Sequence, residues 1–173
     1  VATGGTAAGS SFSDLPTMSA DGRFVAFRSN ATNLVGTDSN GVFDIFLRDR
    51  TGGTTSLVSV NTGGTDSGNA ASDGWPLISQ DGRYIFFASN ATDLVATDTN
   101  GASDVFMRDR VAGTTALVSV NSAGNDSGNN GSILHCISPD GRYVVFSSAA
   151  TDLTADTDGN AANDVFLRDT VAG

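Results

Sequence analysis

SADGRFVAF at 19–27 returns as SQDGRYIFF at 79–87 and as SPDGRYVVF at 138–146. Downstream of each copy comes a second motif: DIFLRDR (44–50), DVFMRDR (104–110) and DVFLRDT (164–170). The offset is 60 residues between the first two copies and 59 or 60 between the second and third. TTSLVSVN (54–61) and TTALVSVN (114–121) extend the match. Self-similarity at a fixed period marks an architecture in which each unit buries its apolar face on a neighbour.

Each unit reads as four short strands. The first runs through 15–19, 76–79 and 135–138, and the second through 24–29, 84–89 and 143–148. Asp-Gly between two apolar runs is a strong hairpin signal, because both residues tolerate a positive φ. Asp21-Gly22, Asp81-Gly82 and Asp140-Gly141 therefore join first strand to second. The third strand is the DIFLRDR run. Its Ile45, Phe46 and Leu47 do not alternate with polar residues, which implies burial on both faces. The fourth is the LVSV run, starting at Leu57 and at Leu117.

Composition agrees. Every acid is Asp and every base is Arg, so the helix formers Glu and Lys are absent, while Asp, Gly, Asn, Ser and Thr favour turns. The expectation is an all-β protein. With Lys+Arg 9 against Asp+Glu 19 the net charge is −10, which argues against nucleic acid or an anionic membrane as partner. No run approaches the ~18 apolar residues of a membrane-spanning helix. One cysteine, Cys136, excludes an internal disulfide framework and Cys-based zinc sites.

Four antiparallel strands per unit, with no helical crossover, describe the blade of a β-propeller. The SxDGR, FxxF and DVFxRD pattern resembles the WD-like repeats of the TolB-type β-propeller family, over nearly the whole chain. That resemblance implies a propeller fold found in periplasmic binding proteins, surface proteins and accessory domains beside hydrolases. The chain reads as one repeat domain, 1–173, with blades at about 1–60, 61–120 and 121–173. Residues 1–6 (VATGGT) match 60–65 (VNTGGT), and 171–173 match 111–113. The last blade thus lacks its fourth strand, and propellers typically need 4–8 blades. Three arrangements follow: two chains closing head-to-tail into a ring, one piece of a longer repeat protein, or chains stacking into a filament.

The connections between second and third strands carry oxygen side chains at calcium-ligand spacing. The fullest copy is Asp156, Asp158, Asn160 and Asp164, with Ala161 where the short calcium loops of integrin α-subunits carry Gly. Asp38, Asn40 and Asp44, and likewise Asp98, Asn100 and Asp104, keep the Gly but lack the first acid, with Gly36 and Ala96 in its place. Ca²⁺ takes six to eight hard oxygen ligands, whereas Asp and Asn also close turns without metal. Asp66-Ser67-Gly68 and Asp126-Ser127-Gly128 echo a serine-protease nucleophile motif, but the chemistry needs a histidine base and His135 is the only histidine. They read as turns linking one blade to the next. His135 replaces the Pro of the other copies at the start of a first strand, and Cys136 reads as a small core residue. Trp75, Phe12 and Phe43 are the few aromatics available to a binding face. The RDR arginines (Arg48, Arg50, Arg108, Arg110) read as pairing with Asp in a neighbouring strand or turn, such as the Asp-Gly hairpins. Sequons stand at Asn30, Asn90 and Asn130, of which the first two, at the end of the second strand, are a repeat feature.

These observations lead to a non-enzymatic, secreted, cell-surface or periplasmic propeller scaffold. It would act through self-assembly or protein binding, with further copies or blades as partners and Ca²⁺ as the candidate ion. A module binding peptide, protein or glycan and an accessory propeller of a hydrolase are the alternatives.

Overall fold

The computed structural model describes residues 8–156, 158–160 and 162–172. The N-terminal match at 1–6, Ala161 and Gly173 lie outside the described residues. Three antiparallel sheets follow one another along the chain. The first holds β1 (Ser13–Met18), β2 (Phe24–Ser29), β3 (Asp44–Asp49) and β4 (Thr54–Leu57) in sequential order. The second holds β5 (Leu77–Ile78), β6 (Tyr84–Ser89), β7 (Asp104–Asp109) and β8 (Thr114–Leu117). The third holds β9 (Ser132–Ile137), β10 (Tyr143–Ser148) and β11 (Asp164–Asp169), with three strands among the described residues. No helix occurs among the described residues.

The central strands fall where the apolar runs place them. β2 pairs β3 without a slip from Phe24↔Asp49 to Ser29↔Asp44, and β6 pairs β7 likewise. The turn before each second strand differs from the expected two-residue form. Gly22, Gly82 and Gly141 have φ of 67°, 72° and 75°, while no Asp has a positive φ. The Gly22 N–H donates to Ser19 C=O, and Ser19 N–H donates across to Phe24 C=O. The left-handed residue is therefore the glycine alone. Asp21 instead accepts from Ser19 Oγ at 2.6 Å and from Arg23 N–H at 2.9 Å.

The fourth strand sits three residues upstream of its expected start. Thr54–Leu57 pairs β3, and then Val58 N–H and Ser59 N–H both reach Ile45 C=O, at 2.7 and 3.4 Å. That double approach ends the ladder, so the LVSV run folds over the sheet edge rather than continuing it. The first strand is shortest in the second sheet, where it spans Leu77–Ile78.

Alternation in β2 and β3 sends two sets of side chains to opposite faces. One set from the first sheet (Phe24, Ala26, Ile45, Leu47) packs with Ile85, Phe87, Leu94 and Phe106 of the second repeat. The same set one repeat on (Phe86, Val105, Met107) packs with Val144, Phe146 and Leu153 of the third. Each sheet carries a stacked phenylalanine pair: Phe27–Phe46, Phe87–Phe106 and Phe146–Phe166, with centroids 5.6–5.8 Å apart. The core is thus two sheet-on-sheet seams, and stability is a nearest-neighbour property.

At the third sheet the pattern breaks. Val165 and Leu167 are 74% and 68% exposed, whereas their counterparts Ile45 and Leu47 are 0% and 4% exposed. Cys136 lies on this same face, opposite Val145, which pairs Leu167. It is exposed, contrary to the core role expected of it, because its counterpart Leu77 is covered by a following sheet and Cys136 is not.

Candidate functional site

The oxygen-rich loops between second and third strands differ among the three copies in what encloses them. In the first repeat Asp38 and Asp44 are both more than nine-tenths buried. Asp44 opens β3 and accepts a 2.6 Å hydrogen bond from Ser59 Oγ on one oxygen. That hydroxyl in turn accepts Ile45 N–H at 3.0 Å. The other Asp44 oxygen, and both oxygens of Asp38, are buried without a hydrogen-bond partner. Asn40 braces the loop: its Oδ1 accepts Val42 N–H, and its Nδ2 donates to Gly68 C=O at 2.8 Å.

The lid of this cluster comes from the next linker in the chain. Asp66 accepts from Ser39 Oγ and from the N–H groups of Ser39 and Ser67. Ser67 N–H donates to Thr37 C=O at 3.0 Å. Gly68 is needed for the approach, since a Cβ there would lie 2.8 Å from both Ala91 Cβ and Leu94 Cδ2. The Asp-Ser-Gly motif thus ties one repeat to the next. His135 is on β9 with its Nε2 2.9 Å from Ser147 Oγ, within the third sheet.

The second repeat reproduces the arrangement. Asp104 accepts from Ser119 Oγ at 2.6 Å, while its second oxygen and both oxygens of Asp98 are buried and unpartnered. Asn100 Nδ2 donates to Gly128 C=O at 2.6 Å, and Asp126 accepts from Thr99 Oγ1 at 2.7 Å.

Burial is the main cause that pushes the Asp44 carboxyl up to about 7 and Asp104 to about 6. The serine and asparagine contacts pull back, and the neighbouring aspartates push further. Asp38 and Asp98 are raised as well, again by burial first. No arginine figures among the charges acting on these four groups.

In the third repeat Asp156 and Asn160 are exposed, and Asp158 and Asp164 half-buried. Asn160 Nδ2 donates to Asp164 at 3.2 Å, and Asp158 accepts Asn160 N–H. The loop with the fullest acid spacing is therefore the most open, and the two sparser loops are enclosed. Among the described residues no three His, Cys, Asp or Glu side chains form a metal-binding group. The serines Ser59 and Ser119, which hold the innermost aspartates, escaped the sequence reading. Their signal was a polar residue repeated between two valines.

The other candidates are placed plainly. Asp49, Asp109 and Asp169 each take a two-pronged ion pair from Arg23, Arg83 and Arg142, at 2.7–2.8 Å for the shorter contact. The RDR aspartates thus take the arginine after the Asp-Gly turn, rather than the RDR arginines taking the turn aspartates; Arg50 and Arg110 instead donate to Gly22 and Gly82 C=O. Trp75 and Phe12 are exposed. Phe43 is half-buried, with the Arg28 guanidinium 4.2 Å from its ring centre and Phe12 against its edge. Arg28 also pairs Asp14 at 2.7 Å.

No family model and no curated protein matches the chain. Solved structures do. TolB from Acinetobacter baumannii superposes with a TM-score of 0.56 at 19% identity, over 94% of this chain and 31% of that one. A putative TolB from Agrobacterium tumefaciens gives 0.52 at 22%, over 90% and 45%. A structure from a study of two prolyl endopeptidases gives 0.51 at 17%, over 92% and 20%. The chain spans less than half the length of each. At such identities the likeness shows the fold: sheets of the TolB-like propeller kind.

Proposed function

We propose that the chain is a non-enzymatic scaffold, a single repeat domain over 1–173, that works by adding blade to blade. The third sheet takes the first sheet of a second copy, and the assembly presents its loops to protein partners outside the cytoplasm. The observation that carries this reading is the face of the third sheet. Ile133, Val165 and Leu167 are exposed at a surface that the following repeat covers in the first two sheets. The first sheet offers the complementary face, with Phe27, Val35 and Leu57 only partly buried and Met18 exposed. Two different complementary patches on one molecule make a head-to-tail contact, which closes into a ring or propagates. The TolB-like fold supports a binding rather than a catalytic role, and a periplasmic or secreted setting.

The test is native mass by light scattering. Multiples of 17.5 kDa are expected, reduced to the single-chain mass in the Val165→Asp/Leu167→Asp double variant. A concentration-independent wild-type mass of 17.5 kDa would overturn the reading.

A further inference from the structure

We propose that the chain holds two hard divalent cations, Ca²⁺ by the chemistry of the donors, at the seams between successive repeats. One lies on Asp38 and Asp44, the other on Asp98 and Asp104. The inference stands apart from the assembly reading, because both seams lie within one chain.

Each pair presents three buried carboxylate oxygens that no hydrogen bond of ordinary geometry reaches, with only looser approaches from Asn40 and Ser67 in the first and from Asn100 and Ser127 in the second. Buried carboxylates in proteins are paired, hydrogen-bonded or bound to a metal, because a bare buried charge is strongly unfavourable. Here the nearest charged groups are other aspartates: Asp66 beside the first pair, Asp126 beside the second. Arginine is not scarce nearby. Arg23 and Arg83 each engage an aspartate at the far end of the same sheets. The seam carboxylates are left unmatched while the rim carboxylates are matched.

The donor set selects the ion. It consists of carboxylate oxygens, with the Ser67 hydroxyl beside Asp38, the Ser127 hydroxyl beside Asp98, and the Asn40 and Asn100 amides beside Asp44 and Asp104. Hard oxygen donors in a loop of two carboxylates, completed by water or main-chain oxygen, suit Ca²⁺ better than Zn²⁺ or copper. The proposal also orders the three loops. Asp156, Asp158, Asn160 and Asp164 match the spacing best, but Asp156 and Asn160 are exposed and only one oxygen of the loop, on Asp158, is buried and unpartnered. The enclosed pairs bind, and the open loop does not bind in the isolated chain.

The lid gives the ion a consequence. Asp66-Ser67-Gly68 belongs to the linker that leads into the second repeat, and it closes over the loop of the first. A cation beneath it ties two repeats together.

The experiment is calorimetric titration of the whole chain with CaCl₂ after chelator treatment, alongside thermal melting with and without Ca²⁺. Two sites per chain are expected. The melting point should rise by roughly 5 °C or more once Ca²⁺ stands a hundredfold above its dissociation constant. The Asp38→Asn/Asp98→Asn variant should lose both the heat and the shift. In chelator it should melt no lower than wild type, because two uncompensated buried charges are gone; this separates ligand loss from misfolding. Asp156→Asn/Asp158→Asn should keep the full response. No heat and no shift in wild type would overturn the proposal. So would an undiminished response in the first variant, or a response lost only in the second.

Discussion

Replacing Gly82 by alanine should destabilise the fold more than the same change at Gly22, although both occupy the equivalent turn of successive repeats. Each glycine is left-handed, with φ of 67° at Gly22 and 72° at Gly82. An L-residue there costs roughly 1–2 kcal/mol. The two positions differ in their neighbours. A Cβ on Gly22 meets nothing nearer than Arg50 Nη1 at 3.6 Å, a mobile tip. A Cβ on Gly82 would stand 2.4 Å from Phe24 Cδ2, 3.1 Å from its Cγ and 3.3 Å from its Cβ. Phe24 has little room to yield: it is buried between the first and second sheets, and the Arg110 guanidinium covers its ring at 3.9 Å. Overpacking of that kind adds about 1–3 kcal/mol. Gly22→Ala should therefore cost about 1–2 kcal/mol and Gly82→Ala about 2–5. Gly141, whose Cβ would lie 3.1 Å from Tyr84 Cδ2, should fall between them.

Equilibrium urea unfolding of the three variants reads these differences directly. For a chain of this size each kcal/mol moves the melting point by about 2–4 °C, so the ranking is also visible by thermal melting. Phe24→Val supplies the control. With the ring gone, Gly82→Ala should cost no more than Gly22→Ala does, which is a coupling between side chains in contact. Equal losses for Gly22→Ala and Gly82→Ala in the wild-type background would refute the sheet-on-sheet seam as described.

Two further outcomes are expected. Arg83 and the turn N–H groups hold Asp109 down to about 2, and Arg142 and its turn do the same for Asp169, while Asp49 is lowered further by Arg23. Folded pKa values below the unfolded value of about 3.9 mean that the native state binds fewer protons. This stabilisation is complete above about pH 4 and is lost as pH falls through about 2. Urea midpoints from neutral pH downward should show it, with a shallower acid decline in Arg83→Gln; identical acid profiles would refute the role of the pair. Cys136 lies on the open face of the third sheet, so a thiol reagent should label it in the dilute native chain and be excluded as the concentration rises. Labelling that stays independent of concentration would count against pairing through that face.

The parts of the fold legible in the sequence are those decided by residues adjacent in the chain. Strands β2, β6 and β10 begin and end where their apolar runs do, because central strands are buried on both sides by their own sheet's neighbours. The first strand is an edge, so its extent depends on bulges: β1 slips between Asp14 and Thr17, with Leu15 at φ 50°. No local composition announces that. The fourth strand was misplaced because LVSV looks like a strand, yet its serine serves Asp44 and its first valine turns back onto Ile45. Enclosure of the candidate site was hidden for the same kind of reason. Acid spacing is written within each loop, but the lid comes from the following linker, so the best-spaced loop turned out the most exposed.

Placing the lid and the apolar seam at the same boundary has an energetic consequence. In a stack of sheets each boundary contributes its own stabilisation, and a weak boundary opens first. The seam between first and second repeats carries Phe24, Ile45, Ile85 and Phe106 in its interior. The same seam also encloses the unpartnered oxygens of Asp38 and Asp44. Apolar burial holds the seam whatever the solution contains. The carboxylates work against it while they are bare and charged, and with it once their charge is met. A boundary of this composition has a strength that solution conditions set. The third sheet, whose Asp158 and Asp164 remain partly open to water, carries less of that penalty, with a single buried unpartnered oxygen, on Asp158. The charge pattern thus follows enclosure: the carboxylates are buried where a following repeat covers the loop, and more open in the third loop.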